Sequence, residues 1–247
     1  MPKIRLDQAM LRQGLTDSRT QAENFIKLGY VEVDDQVITK PDRLIPANAK
    51  IKLTITGKYV SRGAYKLESV SKTMQLSFKD AVVLDVGSSV GGFTDYAIRH
   101  GASQVIAVDV GTNQLHPSLR VDQRVLLYEQ TDIRDLKSLS VVPDIVLIDV
   151  SFISLRNILP SVEQLCGAQT NILALVKPQF ETTSDSLKHE GLIKNEHIRR
   201  DILKNFEKWV KQSYVIITKA DSGVSGAKGN LERFYLLKCL NPPVRTI

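Results

Sequence analysis

The chain has only two cysteines in 247 residues, Cys166 and Cys239, far apart in sequence and in no C-x-x-C pair. A disulfide scaffold and a metal site are therefore not expected, and a reducing compartment is. No apolar run approaches the ~20 residues of a membrane helix; the longest are strand-length and broken by charge. The opening Met1-Pro2-Lys3-Ile4-Arg5-Leu6-Asp7 lacks the apolar core of a signal peptide. A cytoplasmic protein with no membrane partner is expected. The dinucleotide pattern G-x-G-x-x-G is missing too, which disfavours a nicotinamide-dependent dehydrogenase. Internal repeats and low-complexity tracts are absent.

What remains is an ordinary globular composition, 43% hydrophobic and 24% charged, enough for one large or two small domains. Lys and Arg exceed Asp and Glu by 33 to 27. The net charge of +6 permits an anionic partner such as nucleic acid without demanding one.

The most informative stretch is Val82-Val83-Leu84-Asp85-Val86-Gly87-Ser88-Ser89-Val90-Gly91-Gly92-Phe93-Thr94. It reads as a buried strand, a glycine-rich turn and the start of a helix, a place where a ligand can approach the backbone. Further near-continuous apolar strands follow at Gln104–Asp109, Arg124–Tyr128, Asp144–Asp149 and Asn171–Lys177, alternating with helical segments. That pattern predicts a parallel sheet covered on both faces. Glu196–Gln212 reads as an amphipathic helix with Ile198, Ile202, Leu203, Phe206, Trp209 and Val210 on one side. Two closing strands, Tyr214–Thr218 and Arg233–Leu240, are separated by a polar loop.

Asp85, Asp109, Asp149 and Lys177 fall at or just before strand C-termini, the edge at which open α/β sheets hold ligands. Packing alone would place apolar or turn residues there. Asp109 is placed to accept hydrogen bonds from two ribose hydroxyls, and Asp132 to contact an adenine amine or to pair locally with Arg134.

Residues 1–56 read differently. A helix over Leu6–Gln13 ends at Gly14, and a second begins at a capping box from Ser18 to Gln21. Its stripe is Ala22, Phe25 and Ile26, and Gly29 stops it. A hairpin follows, Tyr30–Val33 and Gln36–Ile38 around Asp34-Asp35, and then an alternating strand Lys50–Ile55. Residues 57–60 are a short linker to a second domain, 61–247.

Three resemblances follow. Asp85-x-Gly87 followed by Gly91-Gly92 resembles the glycine turn of class I S-adenosylmethionine-dependent methyltransferases. Arg5-Leu6-Asp7, Gly14-Leu15, Ser18-Arg19, Ala22, Ile26, Gly29-x-Val31-x-Val33, Val37 and Lys40-Pro41 resemble the S-four (αL-type) RNA-binding domain. Ser61-Arg62-Gly63-x-x-Lys66-Leu67, Asp149-Val150-Ser151-Phe152-Ile153-Ser154-Leu155, Lys177-Pro178-Gln179-Phe180-Glu181 and Gly229-Asn230-Leu231-Glu232 resemble motifs of the TlyA family. That family is known both as haemolysins and as ribosomal RNA 2′-O-ribose methyltransferases, with an RrmJ/FtsJ-like catalytic domain behind the S-four module.

The resemblance implies an α/β fold: a small α+β S-four module, then a Rossmann-like class I methyltransferase domain with a mostly parallel sheet and an antiparallel last strand. It implies a catalytic tetrad of Lys66, Asp149, Lys177 and Glu232. S-adenosylmethionine is the implied cofactor, held by Asp85, Gly87, Ser88, Gly91, Gly92, Phe93, Asp109 and Asp132. Ribosomal RNA in ribosomal subunits is the implied partner, met by Arg5, Ser18, Arg19, Lys27, Lys40 and Arg62. Val90 departs from the threonine common in the family's turn, removing a hydroxyl, and Asp132 replaces a common asparagine. Ser222-Gly223-Val224 and Leu192-Ile193-Lys194-Asn195 differ from the usual proline-containing loops. Two other functions remain open: a non-catalytic RNA-binding protein of this fold, and a membrane-lytic protein.

Overall fold

In a computed structural model of the chain, the described residues are 3–16, 19–27, 29–54, 58–182, 191–226 and 229–242. The expected N-cap and RNA contact at Ser18 lies outside them, as do Ile55 and Thr56 at the end of the expected first domain and Gly57 at the start of the expected linker.

The N-terminal module runs β1 (Lys3–Arg5), α1 (Leu6–Arg12), α2 (Arg19–Lys27), β2 (Val31–Val33), β3 (Gln36–Val37), β4 (Leu44–Pro46) and β5 (Ile51–Leu53). Asp34 and Asp35, both at positive φ, turn the β2–β3 hairpin, as the sequence predicts. β5 joins the other side of β2. A separate antiparallel pair, β1 with β4, is additional to the sequence reading. Strands of three residues carry too little alternation to be seen without their partners. Leu6, Met10, Ala22, Phe25 and Ile26 from the two helices meet Val31, Val33, Ile45 and Ile51 in one apolar cluster.

The larger domain is built from α3 (Arg62–Ser71), β6 (Val82–Val86), α4 (Gly92–Arg99), β7 (Gln104–Val108), α5 (Pro117–Arg120), β8 (Val125–Tyr128) and β9 (Ile145–Ile148). It continues with α6 (Leu159–Glu163), β10 (Asn171–Val176), α7 (Pro178–Glu181), α8 (Glu196–Val210), β11 (Tyr214–Asp221) and β12 (Arg233–Cys239). Seven strands form one sheet in the order β11-β12-β10-β9-β6-β7-β8. β12 alone runs against the rest. β11 extends three residues past the expected Thr218, which shortens the closing loop.

Alternate residues of these strands feed two cores. Leu84, Val86, Ile106, Val146 and Ile148 face Leu203, Phe206 and Val210 of α8, while Val83, Val105, Ile145 and Leu147 face Leu67 and Val70 of α3 and Phe93 and Ala97 of α4. Burial on both faces is why the strands are apolar almost throughout. It leaves the strand C-termini as the place where polar groups can gather. The two cysteines also meet: Cys166 hydrogen-bonds Cys239, which holds the Cys239 thiol below its ordinary range.

Candidate active site

Asp149 and Lys177 directly follow the adjacent parallel strands β9 and β10, and Glu232 precedes β12, which runs antiparallel beside β10. Topology alone therefore brings three charges to one edge, and Lys66 on α3 reaches over them. Lys177 Nζ lies 2.6 Å from Asp149 Oδ1 and donates to Ser151 Oγ at 2.9 Å. Lys66 Nζ donates to Glu232 Oε2 at 2.7 Å and stands 4.0 Å from Asp149 Oδ2. All four expected tetrad residues line one cavity of about 430 Å³.

Two ammoniums and two carboxylates balance, which is what makes burying them tolerable. Burial pushes the Asp149 carboxyl up, but the charges of Lys177 and Lys66 outweigh it and hold the group below its usual range. For Lys66, burial favours the neutral amine, and Asp149 and Glu232 overcome that, so it is a firm cation.

The glycine turn lines the same cavity beside Asp149. Asp85, Gly87, Ser88, Gly92 and Phe93 line the same cavity, as does Arg62. Gly87 has φ +82°, and a Cβ there would come 2.7 Å from the Asp149 carbonyl oxygen. Only glycine lets the turn pass this close to the Asp149 backbone. Asp85 is 1% exposed and accepts from Thr94 Oγ1 at 2.6 Å. Burial pushes its carboxyl up to about 7, with Asp149 and Asp109 adding to the rise and Thr94 opposing it.

Asp109 sits at the turn's outer end, accepting from the Ser89 and Gly111 backbone N–H groups at 2.8 and 2.7 Å. Gly91 backs onto Leu115 and Leu119 rather than facing the cavity. Asp132 is paired with Arg134 at 2.6 Å and does not line the cavity; of its two expected roles, the local pairing is the one present. Val90 is buried against the N-terminal module, so the missing hydroxyl has a packing reason.

Several residues beyond the expected set shape the site. Glu181 is buried and ties down the loop after Asp149, accepting from Ser154 Oγ and the Leu155 N–H at 2.6 Å each. Burial raises its carboxyl, and these donors oppose the rise. Phe152 is 92% exposed at φ +66°, its ring 5.2 Å from that of Phe180. A bulky side chain in that backbone region is a genuine outlier, and both rings line the cavity. These residues stand inside the two motifs that carry Asp149 and Lys177, but a motif match gives no burial or backbone angle.

The cavity also presents unpaired polar atoms to whatever it holds. Ser88 Oγ and Gln179 Oε1 are buried without a hydrogen-bond partner among the described residues, and both residues line the cavity. Buried polar atoms are rarely left unpaired, so the cavity is built to receive polar groups.

On the N-terminal module, Arg5 and Arg19 converge on the fully buried Asp7, at 2.8 and 2.9 Å. Lys27 lies 3.5 Å from Glu23, and Lys40 is exposed.

The S4 domain model matches residues 4–51, and the FtsJ-like methyltransferase model matches residues 59–239. A candidate rRNA methyltransferase of Bacillus subtilis, YqxC, is 38% identical over 237 residues, covering 93% of this chain and 84% of its own. The 16S/23S rRNA (cytidine-2′-O)-methyltransferase TlyA of Mycobacterium tuberculosis is 32% identical over 241 residues, covering 96% and 90%. A solved structure of a candidate hemolysin from Streptococcus thermophilus superposes with a TM-score of 0.74 at 35% identity, covering 98% and 90%. With an S4 domain in front and the Lys66-Asp149-Lys177-Glu232 cluster behind, the chain belongs to the FtsJ-like methyltransferases, in the branch that includes TlyA.

Proposed function

We propose that this protein transfers a methyl group from S-adenosylmethionine to the 2′-hydroxyl of a ribosomal RNA nucleotide. The observation that carries the reading is Lys177 Nζ, held at 2.6 Å by Asp149 and at 2.9 Å by Ser151 at the floor of the cavity.

A ribose hydroxyl is a poor nucleophile at neutral pH and must be aligned and relieved of its proton as it attacks. Lys177 provides a polar group at the reacting oxygen, and Asp149 fixes its position. Lys66 and Glu232 complete the charge balance, so Asp149 remains a carboxylate throughout. When bound, the sulfonium supplies an electrophilic methyl group. Asp85 is the group to receive the donor's ammonium, Ser88 and the turn's backbone its amino-acid end, and Asp109 its ribose. Asp132 is left out of this set.

Phe152 and Phe180 offer an exposed aromatic platform beside Lys177 for the base of the target nucleotide. Stacking of this kind tolerates any base and is typically worth about 1–3 kcal/mol. Arg5, Arg19, Lys27, Lys40 and Arg62 are the proposed phosphate contacts, with Asp7 holding the two arginines in place. The domain division at 56 and 61 belongs to the same reading. A haemolytic role has less support: no helix among the described residues is long and apolar enough to cross a membrane.

Labelled S-adenosylmethionine incubated with ribosomal subunits tests the proposal. Ribose labelling lost in Lys177→Ala, with donor and RNA binding retained, is the expected outcome. Full activity in that variant would refute the assignment.

A further inference from the structure

Val90 stands in the middle of the glycine turn, yet its side chain belongs to the other module. It is 2% exposed, and every other buried member of its apolar cluster, from Leu6 to Ile51, comes from the N-terminal module. The Val90 carbonyl accepts the His116 N–H at 3.1 Å, and the His116 ring lies 6.4 Å from that of Phe25, a member of the same cluster. The Arg62 N–H donates to the Tyr30 hydroxyl, a second link from the module to a residue of the cavity. Val90 and Arg62 both line the donor cavity. The N-terminal module is therefore packed directly against two of its walls.

The turn has reason to need that support. Gly87, Ser89 and Gly91 all sit at positive φ, at 82°, 48° and 96°, a region that a serine, unlike glycine, seldom adopts. Such a backbone persists only when its surroundings over-determine it. On one side the turn has no slack, since a Cβ on Gly91 would come 2.4 Å from Leu119 and 2.7 Å from Leu115. On the other, the contact is Val90 in the module.

We propose that Val90 is a positioning residue, seated in the N-terminal module so that RNA binding by the module and methyl-donor binding by the turn strengthen each other. The inference rests on the reading of the turn as the donor site and of the module as an RNA binder. RNA that fixes the module also fixes Val90, and the donor then meets a turn already ordered. Linkage requires the effect to be reciprocal: the factor by which RNA tightens donor binding equals the factor by which donor tightens RNA binding.

The test uses the full chain, labelled S-adenosylhomocysteine as a donor analogue that cannot react, and purified bacterial ribosomal subunits. Equilibrium dialysis gives analogue affinity with and without saturating subunits, and filter binding gives subunit affinity with and without saturating analogue. Wild type should show about the same factor in both directions, on the order of tenfold. Val90→Ala and Phe25→Ala should bring that factor close to one, with melting curves confirming a folded chain. A purely structural role would lower stability and leave the factor intact. A factor of one in wild type with both ligands bound overturns the inference without needing any variant. So does a factor that survives in both folded variants. If wild type fails to bind the analogue at all, the reading of the turn falls first and the inference falls with it.

Discussion

With Asp85 as the proposed seat of the donor's ammonium, donor binding should depend on pH in a way that can be worked out in advance. Burial pushes the Asp85 carboxyl up to about 7, so the empty site holds a proton there at mildly acidic pH. The donor's ammonium is best received by the carboxylate, so binding must first remove that proton. Affinity should therefore rise about tenfold per pH unit up to about 7 and level off above it. At pH 5.5, about 1.5 units below, the loss is about 30-fold, or ~2 kcal/mol. A second fall is expected above about 8, where an α-amino group loses its own proton.

Stability should move the other way. A carboxyl raised in the fold binds its proton more tightly folded than unfolded, so stability falls as pH rises from about 4 to about 7. From the ordinary 3.8 to about 7, the cost by pH 8 is roughly 4 kcal/mol. Asp85→Asn keeps an oxygen to accept from Thr94 and removes the charge. It should be more stable than wild type at pH 8 by a few kcal/mol, bind S-adenosylmethionine weakly, and show no pH dependence near 7. Isothermal titration from pH 5.5 to 8.5, with urea unfolding at both ends, reads both effects. Flat donor affinity across that range in wild type would refute the reasoning.

Three further outcomes follow from the geometry. Lys66→Met strands Glu232, whose side chain is 2% exposed, beside Asp149; removing one partner of such a pair should cost about 3–5 kcal/mol of unfolding free energy, and a loss below ~1 kcal/mol would show the pair to be solvated. Phe152→Ala should lower kcat/KM for RNA by roughly 5- to 150-fold with donor affinity unchanged, and equal activity would remove the platform from the account of substrate binding. Lys40→Ala should weaken RNA binding uniformly across sequences and reduce the slope of log affinity against log salt by about 1; an unchanged slope would take Lys40 off the phosphate surface.

The sheet was legible because its strands are buried on both faces, and the charged strand ends stood out against that background. Lys66, Asp149, Lys177 and Glu232 could be found as motifs, and β9, β10 and β12 being neighbours is what makes them one site. Other features depend on long-range packing that no local pattern records. Val90 looked like a lost hydroxyl, and its burial in a different module is a tertiary fact. Asp7 as the shared partner of Arg5 and Arg19, and Glu181 as the anchor of the Asp149 loop, needed the folded backbone to bring the groups together. The two cysteines are remote in sequence and adjacent in space for the same reason.

The most direct measurement is to incubate purified ribosomal subunits with methyl-labelled S-adenosylmethionine and this chain, then map the label on the RNA. Label on a ribose 2′-oxygen, present with wild type and absent with Lys177→Ala, is the predicted result. Label on a base, on protein alone, or undiminished in Lys177→Ala would contradict it.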